Sequence, residues 1–189
     1  MKKANREIEV RFLEINPQEI IEKLNSLGAA DQGEDLFTEI IFYDKDLKWQ
    51  YQEKKIVRLR KNNQGIFLAF KQLIEKSADG TVEVEFKVED LEKAKQFLKE
   101  IGLVDFRHQE KKRHSFKLDK VSVDIDIFPA NIPPLVELEG ESELELKEAV
   151  KKIGLDWKDV CMESTRYLIE NRYKIPVSKL KFFTFNKVA

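Results

Sequence analysis

The chain has 189 residues, which is enough for one domain with a substantial core and too few for two large domains. Charged residues make up 37% of the chain, well above the usual share for a globular domain, yet its 34 basic and 35 acidic side chains nearly cancel. The formal net charge of -1 provides no overall field that would favour nucleic acid or an anionic membrane as a partner.

The single cysteine and the absence of long apolar runs indicate the compartment. Cys161 alone excludes an internal disulfide and a cysteine-rich zinc site. The chain has no apolar stretch long enough to span a bilayer and no signal-peptide pattern after Met1. We therefore expect a cytoplasmic protein. Cys161 lies in a helical pattern, which favours a buried apolar role over a reactive one.

Strand and helix patterns follow one another along the chain. Residues 6–14 alternate with period two and predict a strand. A helix follows, with Asn16 as its N-cap, Pro17 at its first position and Gly28 as its stop. The further predicted strands cover residues 36–43, 56–61, 66–74, 81–89, 107–118, 121–128 and 135–139. The further predicted helices cover residues 90–101, 142–154 and 157–171.

The predicted strands carry charged side chains in pairs two residues apart, and such residues share one face of a strand. The pairs are Glu7 and Glu9, Arg58 and Arg60, Glu83 and Glu85, Lys111 and Arg113, Asp124 and Asp126, and Glu137 and Glu139, with Lys71 alone. One interpretation is an antiparallel sheet with one hydrated face, on which acids and bases form cross-strand pairs.

A second interpretation follows from packing. The amphipathic helices need apolar sheet surface, so the helices would pack outside and the charged faces would turn inward together. A sheet with this many strands tends to close on itself and remove its edges. Carboxylates are ligands for Mg²⁺ or Mn²⁺, whereas arginine and lysine suit phosphate oxygens. Such a lumen would suit a metal ion together with a polyphosphate.

In their order and spacing, these motifs resemble the CYTH family, the triphosphate tunnel metalloenzymes, which include class IV adenylyl cyclases, thiamine triphosphatases and inorganic triphosphatases. The resemblance is carried by the E-x-E-x-basic opening, VRLRK, AFK, EVE, KKR and VDIDIFPANIPPLVELEG, and it covers residues 5–172. It implies an α+β fold, a closed or nearly closed antiparallel β-barrel (the tunnel) with flanking helices. We assign residues 1–174 to this domain and residues 175–189 to a tail, either a docked strand or a contact surface.

The resemblance also implies roles for individual residues. The divalent ions, Mg²⁺ or Mn²⁺, would be held by Glu7, Glu9, Asp126, Glu137 and Glu139. The triphosphate would be bound by Arg58, Arg60, Lys71, Lys111 and Arg113. Glu83 and Glu85 would hold basic residues in place or contact metal, and Asp124 would support Asp126. Arg11 and Lys71 are the residues to which a catalytic role is assigned.

Arg11 departs from the family pattern, in which the opening motif usually ends in lysine. Arginine binds phosphate but is effectively never neutral, so it cannot accept a proton from an attacking water. A mechanism with that residue as the base is therefore in doubt, and a metal-bound water is the alternative source of the nucleophile.

Three functions stay open at this point. Hydrolysis of a triphosphate is favoured because it demands least of the site, and cyclisation of ATP to cyclic AMP and pyrophosphate is the second alternative. A non-catalytic module that binds triphosphate or polyphosphate is the third.

Tyr43, Trp49 and Tyr51 could stack on a base or a thiazole ring, although packing in the core or at the rim is the more usual role. The expected partner is a small-molecule triphosphate, with no nucleic acid or membrane, and a homodimer stays open.

Overall fold

A computed structural model describes residues 6–75, 77 and 80–189, with side chains from residue 8 onward. The strands are β1 (Arg6–Leu13), β2 (Ala30–Asp44), β3 (Lys55–Asn62), β4 (Gly65–Leu73), β5 (Thr81–Val88), β6 (Leu103–Leu118), β7 (Val121–Ile127), β8 (Leu135–Gly140) and β9 (Phe182–Phe183). The α-helices are α1 (Pro17–Ser26), α2 (Leu91–Glu100), α3 (Glu143–Ile153) and α4 (Thr165–Asn171). No helix in this described part of the chain is both long enough and apolar enough to cross a membrane.

Eight strands close into a ring. Their order is β2-β3-β4-β5-β1-β8-β7-β6, and β6 pairs back to β2, so every strand of the ring has two antiparallel neighbours. The β2–β6 pairing is long and runs from Ala30 opposite Lys117 to Asp44 opposite Leu103. The predicted closed or nearly closed antiparallel barrel with flanking helices is confirmed, and the cross-strand pairs of acids and bases lie inside its lumen.

Apolar residues on the outer face of the barrel bind the helices. The helices α1 and α3 pack on the outer face of β1, β6, β7 and β8, where Val10, Phe116 and Leu138 are fully buried. The helix α2 packs on β3 and β6, and its Leu98 shares an apolar cluster with Ile40 and Phe42 of β2. Burying these apolar faces leaves the other face of each strand, which carries the charges, to line the lumen.

The chain after α3 differs from the single predicted helix over residues 157–171. A 3₁₀ turn at Trp157–Asp159 begins at the cap Asp156, and α4 begins separately at the cap Ser164. Between them, the backbone N–H of Cys161 donates to the carbonyl of Arg11 at 2.8 Å, and the N–H of Arg11 donates back at 3.1 Å. This β-bridge replaces helical hydrogen bonds, so Cys161 lies half-buried beside β1 and not within a helix.

The segment 175–189 packs on the barrel. Its strand β9 lies parallel to β6, with Phe182 opposite His108 and Phe183 opposite Gln109. Phe183 and Val177 are buried in an apolar cluster with Phe128, near the end of the barrel where β7 ends. Of the two alternatives for this segment, the structure has the docked strand.

Candidate functional site

The inward side chains of six strands surround a charged cavity of about 430 Å³ in the barrel. Period-two alternation along each strand, together with the ring order, brings these side chains to one place. Ten charged residues line it: Glu9, Arg58, Arg60, Lys71, Glu83, Glu85, Lys111, Arg113, Glu137 and Glu139. All ten were selected from the sequence. The side chain of Glu7, also selected, lies outside the part that the structure describes.

Arg113 is held by carboxylates on two neighbouring strands. Its Nε lies 2.6 Å from Asp126 Oδ1, its Nη1 lies 2.6 Å from Asp124 Oδ2, and its Nη2 lies 3.2 Å from Glu137 Oε1. Burial opposes the charge of Arg113, but Asp126 and the other carboxylates raise its pKa well above the ordinary value. The guanidinium is therefore a permanent cation in a fixed orientation.

Asp126 lies behind this arginine and does not line the cavity. It is 1% exposed, and its second oxygen accepts from Lys111 Nζ at 2.8 Å. Burial and the nearby charge of Arg113 lower the pKa of Lys111. With both oxygens occupied by cations, Asp126 orients the basic side chains in this structure, and Asp124 contacts the same arginine.

Arg11 lies between two carboxylates at the seam of β1 and β8. Its Nε is 2.8 Å from Glu137 Oε2, its Nη2 contacts Glu9 Oε1, and its Nη1 donates to the carbonyl of Glu163 at 3.3 Å. Burial would lower the pKa of Arg11, but Glu137 and Glu9 raise it above the ordinary value. For Glu137 the effects have the opposite sign. Burial would raise its pKa, but the positive charges of Arg11 and Arg113 hold that pKa well below the usual range.

Arg58, Arg60 and Lys71 face the two glutamates of β5. Arg58 Nη2 lies 3.2 Å from both Glu83 and Glu85, Arg60 Nη2 lies 2.8 Å from Glu85, and Lys71 Nζ lies 2.7 Å from Glu83. Burial, together with the nearby charge of Arg58, lowers the pKa of Arg60. Glu83 and Glu85 thus hold basic residues in place, which was one of the two roles considered for them.

Sequence reasoning missed the contribution of β2. Glu39 is 4% exposed, accepts from Gln109 Nε2 at 2.6 Å and lies 3.5 Å from Arg58 Nη1. The ring of Phe37 lies 4.9 Å from Arg60 Cζ and 5.6 Å from both Lys111 Nζ and Arg113 Cζ, which are cation–π distances. The period-two signal was present in β2, but its apolar composition concealed which face turns inward.

The carboxylates of this cavity are the ligand type that a hard divalent ion prefers, but their oxygens are not yet gathered around one point. Glu9 and Glu139 lie directly opposite each other on β1 and β8, a like-charge pairing that a cation would relieve. Their oxygens, with those of Glu137, are the donors that Mg²⁺ and Mn²⁺ prefer. Among the side chains that the structure describes, however, no three acidic, histidine or cysteine groups are close enough together to form a metal site.

A second cavity of about 450 Å³ adjoins the first. The two share the residues that we call the collar: Glu9, Arg58, Lys71, Lys111 and Glu137. Beyond the collar the second cavity is lined by apolar side chains, by Arg107 and Gln109 of β6, and by residues of the segment 162–169. Arg107 is 4% exposed, donates to the carbonyl of Val177 at 2.9 Å and was also missed from the sequence.

Comparison with protein-family models matches residues 5–161 to the CYTH domain. A comparison with curated proteins finds no significant match. Among solved structures, the PH1012 protein of Pyrococcus horikoshii OT3 is similar over 84% of this chain and 96% of that chain, with 23% identity and a TM-score of 0.69.

Two further structures share the fold at lower identity. A candidate adenylate cyclase from Vibrio parahaemolyticus matches 89% of this chain and 99% of that chain, with 14% identity and a TM-score of 0.71. The Hippeastrum protein HpAC1, a candidate adenylyl cyclase described as having a dominant triphosphatase activity, matches 89% of this chain and 96% of that chain, with 14% identity and a TM-score of 0.62. At these identities the likeness concerns the fold.

Proposed function

Because the chain belongs to the CYTH family, we propose that it is a metal-dependent enzyme that hydrolyses a phosphoanhydride bond of a triphosphate inside the barrel. The observation that carries this proposal is the convergence of five basic side chains on one cavity: Arg58, Arg60, Lys71, Lys111 and Arg113. The triphosphatase activity described for the Hippeastrum protein, which has the same fold, supports hydrolysis as the reaction.

The basic residues would bind the phosphate oxygens and fix the chain of phosphates along the lumen. Each of the five has at least one carboxylate partner that orients it before a ligand arrives. A triphosphate would therefore meet donors that the carboxylates already hold in the lumen, which is the preorganisation that electrostatic catalysis requires. The fixed guanidinium of Arg113 would compensate charge that develops on a phosphate oxygen.

Glu9, Glu137 and Glu139 are the residues that would hold the divalent ion. When bound, the ion would neutralise phosphate charge and acidify a water. The chain's own part is to orient these carboxylates, with Arg11 contacting both Glu9 and Glu137. Arg11 itself has no role as a proton acceptor.

Phosphate release from tripolyphosphate, ATP and thiamine triphosphate, with a parallel cyclic AMP measurement, tests the proposal. We expect release to be lost in EDTA and restored by Mg²⁺ or Mn²⁺, because the lumen carboxylates would then regain their ion. Full activity in EDTA would contradict the metal requirement. Tight tripolyphosphate binding without turnover of any substrate would favour a binding module.

Cyclisation of ATP is the second candidate, and the adjoining cavity is the observation that favours it. Beyond the collar, the lumen offers apolar walls that could hold the organic part of a nucleotide against the charged cavity. The candidate adenylate cyclase from Vibrio parahaemolyticus has the same fold. Accumulation of cyclic AMP and pyrophosphate from ATP, without inorganic phosphate release, would favour this function over hydrolysis.

Arg11 provides a further prediction. Since its guanidinium is already occupied by Glu9, Glu137 and the carbonyl of Glu163, we expect Arg11→Lys to keep tripolyphosphate affinity within about threefold, the loss of one hydrogen bond or so. Turnover should change by less than about tenfold for the same reason. Single-turnover hydrolysis of tripolyphosphate by both proteins is the measurement. A large acceleration in the lysine variant would instead mean that arginine has replaced a proton-accepting residue.

A further inference from the structure

The second cavity has the volume and lining of a site for an organic group. Its volume of about 450 Å³ lies within the range of about 300–1,000 Å³ that is typical of small-molecule pockets. Away from the collar its walls include Ile41, Tyr43, Phe128, Ile169 and Phe183. Tyr43 and Phe183 are 1% and 2% exposed, so these walls are fixed parts of the core. The first cavity has no comparable apolar wall.

One polar side chain in this cavity has an unusual environment. Gln50 lines the cavity and is 1% exposed, and neither its Oε1 nor its Nε2 has a hydrogen-bond partner among the described residues. Leaving a buried amide unpaired costs free energy, and such groups are rare in folded proteins. A ligand that pairs with both atoms would remove that cost.

The backbone holds Gln50 in place. It lies in a π-helix, Trp49–Glu53. At the start of this helix, the backbone N–H groups of Lys48 and Trp49 donate to the carboxylate of Asp44. The π-helix ends at Lys54, whose left-handed φ of 53° is uncommon for a residue other than glycine. The carbonyl of Gln50 accepts from Arg166 at 3.3 Å. π-helical turns are rare in proteins and are frequently found at functional sites.

We propose that Gln50 and the apolar walls of the second cavity bind a heteroaromatic group that carries an amino group beside a ring nitrogen. This inference rests on the proposed function, because the group would be attached to a triphosphate bound at the collar. Gln50 is then a specificity residue that touches the organic part of the substrate and leaves the phosphate contacts to the collar.

The chemistry of the amide leads to this ligand class. A glutamine side chain presents one acceptor and two donors side by side, and the complementary partner is an amino donor next to a ring-nitrogen acceptor. Glutamine pairs in this bidentate way with adenine. Adenine nucleotides and the aminopyrimidine ring of thiamine both carry the pattern, so both sources must be tested.

The test compares organic and inorganic triphosphates in wild type and Gln50→Leu. Calorimetry measures the affinities for tripolyphosphate and for adenylyl imidodiphosphate, which represents the adenine nucleotides. The KM for thiamine triphosphate represents the aminopyrimidine of thiamine. We expect Gln50→Leu to weaken one of the two organic ligands about tenfold or more, the loss of two neutral hydrogen bonds, and to leave tripolyphosphate within about twofold. The ligand that is weakened identifies the source.

Gln52→Leu is the matched control, because Gln52 lies on the same π-helix, is exposed and does not line the cavity. It should change none of the affinities.

Without ligand, Gln50→Leu should not lower the Tm, since it removes an unpaired buried amide. A glutamine with a structural role would instead give a lower Tm when it is replaced. If tripolyphosphate binds but Gln50→Leu leaves both organic ligands unchanged, this inference fails alone. If wild type binds no tripolyphosphate, the proposed function fails with it.

Discussion

Asp126→Ala is expected to lower the free energy of unfolding by about 3–5 kcal/mol, because removing one partner leaves a buried charge uncompensated. Asp126 is 1% exposed and accepts from both Arg113 and Lys111, so its loss would remove the 2.8 Å partner of Lys111 and leave that cation beside Arg113, which keeps only its two other carboxylates. Urea unfolding in EDTA measures this effect without any contribution from bound metal.

Asp119→Asn is the control for this experiment, because asparagine removes the charge and tolerates the left-handed φ of 54° at this turn. Asp119 pairs with Lys152 at 2.7 Å, but both side chains are at least half exposed, and an exposed pair of this kind contributes little to stability. If Asp126→Ala were as mild as the control in EDTA while metal binding was lost, Asp126 would be a metal ligand, as the family resemblance implies, and not a buried ion-pair partner.

The second large effect is expected from Glu9→Gln, which should lower turnover about a hundredfold or more, a size typical of losing one electrostatic group at a reaction centre. Glu9 lines both cavities and lies opposite Glu139, at the place where we propose the metal. The fold should survive, because Arg11 keeps its 2.8 Å contact with Glu137. Phosphate release from tripolyphosphate and a melting scan are the two measurements.

Glu14→Gln serves as the matched control for Glu9→Gln. Glu14 follows β1 directly, is exposed and pairs with Arg172 at 2.9 Å outside both cavities. It should retain full turnover. A Glu9→Gln protein that melts far below wild type would make Glu9 a structural partner of Arg11, and one that turns over normally would remove it from the proposed metal site.

The sequence predicted the inward faces well because alternation is a local property. Residues two apart on β3, β5, β6 and β8 share a face whatever the neighbouring strands are, and the eight charged residues selected in this way on these strands line one cavity. The strand limits were less accurate. The predicted strands 36–43 and 107–118 begin at Ala30 and Leu103, since both extend along each other in the β2–β6 pairing.

The partners in the ion pairs could not be predicted in the same way, because they depend on the order of the strands around the ring. The placement of β1 between β5 and β8 brings Arg11 opposite Glu137, although the two are far apart in the chain. Gln50 was missed for a similar reason. A single glutamine in a short irregular segment has no periodicity, and only the packing of the 162–169 segment and of the tail around it makes a cavity there.

The β2–β6 pairing that closes the ring has a consequence for how fast the protein folds. Contacts such as Ala30 with Lys117 join residues that are distant in the chain, and β2 and β6 pair along nearly their whole lengths. The chain must lose conformational entropy to close that long loop before the paired strands contribute any stabilising contacts. We therefore expect refolding in the slow, millisecond-to-second range of β-rich domains. The hairpins β3–β4 and β6–β7 are local and can form first. The lumen, and with it any affinity for an anion, exists only when the two long-range pairings, β1–β8 and β2–β6, have both formed.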